Sequence, residues 1–70
     1  MYKVKSRGVE HKIEVGDLIM VVNRNVLVKK GGQWVKFSLK ESDKIKANIK
    51  LEFSHHLAIT SVYKSVGLKK

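Results

Sequence analysis

Seventy residues with a formal charge of +9, from fifteen Lys and Arg against six Asp and Glu, and with no cysteine or proline, make one small domain and exclude two. Without cysteine there is no disulfide framework, and the three histidines (His11, His55, His56) lack the Cys partners or second spaced pair of a structural zinc site. The hydrophobic fraction of 43% is that of a chain that folds, and its stability has to come from a thin apolar core or from a partner.

Along the chain, Tyr2 and Val4 alternate with Lys3 and Lys5, a short strand by its period of two. Ser6 to Glu10, with Gly8, reads as a polar loop, and His11 to Val15 as a further extended piece. Gly16-Asp17 breaks that piece before Leu18-Ile19-Met20-Val21-Val22, an apolar run of strand length expected to be covered on both faces. Asn23-Arg24-Asn25 is a turn by composition, with its register open by one residue.

Gly31-Gly32 lies between two β-prone runs, Val26 to Lys30 and Gln33 to Leu39, and both central positions of a type I′ turn require positive φ. A two-residue loop there sets Lys30 opposite Gln33, Lys29 opposite Trp34, Val28 opposite Val35, Leu27 opposite Lys36 and Val26 opposite Phe37. Val26, Val28, Val35 and Phe37 then share a core face. Leu27, Lys29, Trp34 and Lys36 share the wetter one.

From Ile45 the alternation is clean, with Ile45, Ala47, Ile49, Leu51 and Phe53 against Lys44, Lys46, Asn48, Lys50 and Glu52. It predicts a half-buried strand, whereas a helix from Ser42-Asp43 would leave Ala47 and Leu51 off the face of Ile45, Ile49 and Phe53. Ala58, Ile59, Val62, Tyr63 and Val66 follow helical spacing, with Ser54 and Gly67 as possible caps, and predict a short C-terminal helix. Their β-branched residues keep a closing strand as the rival.

Catalysis finds little support. No nucleophile-elbow motif surrounds a serine, the carboxylates are scattered among lysines, and the glycines match neither GxGxxG nor a P-loop. The expectation is a protein that is not an enzyme, with no cofactor and no metal. His55 and His56 are adjacent, so on a strand they point to opposite faces and do not meet at one ion. No signal-peptide core and no apolar run of about 20 residues is present, which makes a cytoplasmic setting and no membrane insertion the expectation.

The charge points to an anionic partner. Thirteen of the cations are Lys and two are Arg, which suits diffuse attraction to phosphate better than bidentate reading of guanine. Trp34 between Lys29 and Lys36, with Lys44, Lys46 and Lys50 on another polar face and Arg24 and Lys30 at the ends of the intervening strand, forms a candidate nucleic-acid-binding set. The rival for Trp34 is a place in the core.

The run Glu14-Val15-Gly16-Asp17-Leu18-Ile19-Met20-Val21-Val22, followed by the glycine hairpin and Trp34, resembles SH3-like small barrels over Glu14 to Leu39. That resemblance implies a mainly β fold, a barrel of about five strands. The Ser6 to Lys12 loop lacks the acidic and aromatic character of peptide-binding SH3 domains, so proline-peptide recognition is not expected. The leading reading is a single basic domain over residues 1–70 that binds DNA or RNA through phosphates with weak sequence preference. Its rival is a viral or mobile-element accessory or inhibitor protein docking on an acidic partner protein, and a homodimer through a strand edge is compatible with either.

Overall fold

The computed structural model describes residues 2–69. Seven strands and one helix follow in the order β1 (Tyr2–Ser6), β2 (Val9–Ile13), β3 (Leu18–Val22), β4 (Asn25–Lys30), β5 (Gln33–Lys36), α1 (Leu39–Asn48), β6 (Ile49–Leu57) and β7 (Thr60–Leu68). Strands β1 and β2 form a separate hairpin, and the other five form an antiparallel sheet in the order β5-β4-β3-β7-β6. The fold is mainly β, but the sheets do not close. The expected barrel of about five strands is corrected to an open five-stranded sheet plus a hairpin, and the stretch Glu14 to Leu39 contains the β3–β4–β5 meander of that sheet.

Local turn chemistry accounts for the meander. Gly31 and Gly32 both have positive φ, at 56° and 79°, and the register Lys30↔Gln33, Lys29↔Trp34, Val28↔Val35 and Leu27↔Lys36 is the one the two-glycine loop predicts. Asn23 and Arg24 take φ 49° and 68°, so Asn25 starts β4 opposite Val22 and the open register is settled. Arg7-Gly8 makes the same kind of turn, which shortens the expected Ser6 to Glu10 loop to two residues and puts Val9 and Glu10 into β2.

Two segments depart from their sequence patterns. Residues 39–48 are helical, and the strand expected from Ile45 begins at Ile49 instead. Ser38 caps the helix: its Oγ accepts the Glu41 N–H at 3.3 Å and donates to Glu41 Oε1 at 2.7 Å, a Ser-x-x-Glu arrangement that starts helices. The crossover also demands it, because β5 and β6 are opposite edges of the sheet. Four strand spacings, about 19 Å, have to be crossed, and a ten-residue helix covers about 15 Å of that.

The expected C-terminal helix is β7, which pairs with both β3 and β6. Its β-branched residues are accommodated on that two-sided ladder, and the segment after it ties down α1, since Lys69 N–H donates to the Asn48 carbonyl at 2.9 Å.

One sheet face is covered. Its central row runs Val35, Val28, Ile19, Tyr63 and Phe53; Val28 and Ile19 are fully buried, and the cover does not reach Phe53 at the β6 edge, which is 52% exposed. The helix contributes Ile45, the first residue of β6 contributes Ile49 and the hairpin contributes Val4 and Ile13 to the core cluster on that side, with Val26 and Phe37 completing it. Each fully buried aliphatic side chain there contributes about 1.5–3 kcal/mol. Of β3 only Ile19 is buried, so the expectation of cover on both faces is corrected: the core elements sit on one side alone.

Candidate nucleic-acid interface

Alternation in the strands, interrupted in β6 by the register shift between Phe53 and His55, assigns the side chains of the sheet to the covered or the open face. The central row of the open face is Lys36, Leu27, Met20, Val62 and His55, from β5 to β6. Trp34 opposite Lys29, and Leu18, Lys64 and Glu52 in register, flank it. Leu18, Met20, Leu27 and Trp34 are half-buried and give an apolar floor, whereas Val62 in the same row is fully buried and offers no surface of its own. Lys29, Lys36 and Lys64 are exposed at its margins.

The indole is not sealed in the core. The Lys29 ammonium lies 5.5 Å from the Trp34 ring centroid, within the reach of a cation–π contact. Neither Lys29, Lys36 nor Lys64 takes part in an ion pair found among the described residues, so their charge is available to an anion.

Of the residues expected at the site, the fold brings Lys29, Trp34 and Lys36 together. Lys50 alternates with the core residues Ile49 and Leu51 and so points to the open face, at the far edge on β6. Lys44 and Lys46 lie on α1, behind the sheet, because the segment read as a strand is a helix; Lys46 approaches Asp43 at 3.8 Å. Lys30 falls on the covered-face side of β4 and donates to Asp17 Oδ2 at 2.6 Å, while Asp17 also accepts the Glu14 N–H at 2.8 Å. That cation fastens the Gly16-Asp17 bend. Arg24 occupies the exposed β3–β4 turn.

Two functional candidates escape the linear pattern. Lys64 reaches the open face only because β7 is a strand, and Arg7 meets β5 only through the docking of the hairpin. Arg7, Val9 and His11 face Trp34, Val35 and Lys36 across a cleft of about 380 Å³ at the β5 edge. A smaller cleft of about 200 Å³ continues past Ser6 to Asn25, Ser38 and Glu41. The Arg-Gly pair in a short polar stretch was the available signal for a hairpin turn at Arg7.

Among the described residues no group of three or more His, Asp or Glu could hold a metal ion, and no helix is long and apolar enough to cross a membrane. No protein-family model, curated protein or solved structure matches the chain. The functional reading therefore rests on the geometry of the open face and its edge.

Proposed function

We propose that this chain is a non-enzymatic nucleic-acid-binding protein that uses the open face of its five-stranded sheet, with weak sequence preference. The observation that carries the reading is the accessible Trp34 with Lys29 5.5 Å from its ring and Lys36 and Lys64 on the same face. An indole offers any base a stacking surface, and ammonium groups around an apolar floor meet phosphates on either side of the stacked base. Lysine, a flexible point charge, suits backbone contact better than base reading.

The test is a fluorescence anisotropy titration against single- and double-stranded DNA and RNA over a range of salt. Binding falls as salt rises, with a log-log slope of about 0.7 per phosphate neutralised on a single strand and about 0.9 on a duplex. Trp34→Ala weakens binding by roughly five- to a hundredfold, the range of one stacked base, and Lys29→Gln or Lys36→Gln lowers the slope by about one phosphate's worth. Affinity that stays constant over a several-fold rise in salt overturns the reading.

A second reading is supported by Leu18, Met20 and Leu27 beside Trp34, an apolar floor of the kind that also suits an acidic partner protein. Affinity capture repeated after nuclease treatment separates the two: a bound protein that survives nuclease favours the second.

A further inference from the structure

Strand β5 ends one side of the five-stranded sheet, and the direction of its backbone groups follows from a single bond. Phe37 N–H donates to the Val26 carbonyl at 2.9 Å. Bonded and non-bonded pairs alternate along an antiparallel ladder, so Val35 with Val28 and Gln33 with Lys30 are the bonded pairs. The N–H and C=O of Trp34 and Lys36 therefore point outward. In keeping with this, Ser6 Oγ donates to the Lys36 carbonyl at 3.4 Å. Among the described residues no protein group takes up the Trp34 N–H, the Trp34 carbonyl or the Lys36 N–H.

Beside these three groups lies the cleft of about 380 Å³ walled on its far side by Arg7, Val9 and His11. That volume is near the lower limit for ligand sites, roughly 300–1,000 Å³, and suits a short extended segment better than a folded surface. Val9 is 55% exposed, which leaves an apolar wall facing Val35.

We propose that the β5 edge is a docking site for an extended acidic segment of another protein, added as a sixth strand of the sheet. The segment bonds both backbone groups of Trp34 and the N–H of Lys36, and Ser6 on the Lys36 carbonyl marks where its pairing stops. Its side chains alternate as the sheet does. Those on the open-face side lie beside Trp34 and Lys36 and are acidic, whereas the one between them meets Val35, Val9 and His11 and is apolar. Charge decides the occupant: a second copy of this chain would set Arg7 and Lys36 against their own kind, while carboxylates complement both. This site shares the Trp34 and Lys36 side chains with the proposed nucleic-acid face and goes beyond it in using the outward backbone groups of the β5 edge.

The test uses the full chain, isotopically labelled, titrated with the capped peptide Gly-Ser-Glu-Val-Glu-Val-Glu-Ser-Gly. Amide resonances of Trp34 and Lys36 shift downfield and gain protection from hydrogen exchange, as new strand bonds require. Lys36→Pro removes the outward N–H at an edge position where proline leaves the β4 ladder intact, and it weakens peptide binding roughly tenfold beyond the loss seen in Lys36→Gln. Equal losses in the two variants overturn the proposal, because charge alone then explains binding. So does peptide-induced protection confined to Leu18, Leu27 and Lys64 on the open face, or a single-stranded oligonucleotide that protects the Trp34 and Lys36 amides and displaces the peptide. The wild-type exchange measurement stands whether or not the proline variant folds.

Discussion

Ser42 shows how much one hydroxyl can carry in so small a core. Where β5 ends, its Oγ accepts the Val26 N–H at 2.7 Å and donates to the Phe37 carbonyl at 3.4 Å, standing in for a ladder bond between those two residues. Ser42→Ala leaves a buried N–H without a partner and costs about 1–3 kcal/mol. Ser65 is equally buried, yet among the described residues its Oγ finds no hydrogen-bond partner. Ser65→Ala therefore removes a desolvated polar atom and is neutral or stabilising. Urea unfolding of the two variants checks the contrast, and losses of equal size in both would contradict it.

At the scale of elements, the turns store strain that glycine would relieve. Arg24 takes φ 68° and Ala58 φ 57°, in two-residue loops between β3 and β4 and between β6 and β7. A left-handed conformation costs an L-residue about 1–2 kcal/mol, and the flexibility glycine adds to the unfolded chain returns part of that. Arg24→Gly and Ala58→Gly each raise stability by about 1 kcal/mol net, which moves the Tm of a domain this size by about 4–8 °C. Thermal unfolding followed by circular dichroism measures it; an unchanged or lower Tm in both variants would show that the turns are not strained. The helix has a different signature. Its Ser38-to-Glu41 start was readable, but the alternation after Ile45 obscured it, since a ten-residue crossover that buries chiefly Ser42 and Ile45 needs no wide apolar stripe.

For the whole molecule, charge dominates the response to salt. The chain spans 30 × 25 × 22 Å and carries +9, and its ion pairs among the described residues are Lys12–Glu14, Lys30–Asp17 and Lys46–Asp43. At about 0.01 M salt the Debye length, about 30 Å, equals the longest dimension, whereas at about 0.15 M it is about 8 Å. Self-repulsion is therefore unscreened in the first condition and largely screened in the second. Calorimetry is expected to show Tm rising between them, while the proposed affinity for nucleic acid is expected to fall over the same interval. A Tm that drops with added salt would mean that the few ion pairs outweigh the repulsion.

By itself the sequence determined whatever depends on neighbours along the chain. Two glycines settled a hairpin and its register, alternation put Lys29, Trp34 and Lys36 on one face, and composition set a basic, β-rich domain. Only the tertiary structure decided which face of the sheet is covered, that residues 39–48 cross it as a helix, and that the last segment inserts as a strand between β3 and β6. Those choices moved Lys44 and Lys46 behind the sheet, engaged Lys30 with Asp17, and brought Lys64 and Arg7 to the open face and its edge. The reason is that an alternating or helical pattern records only which residues prefer burial, whereas the direction of burial depends on partners tens of residues away in sequence.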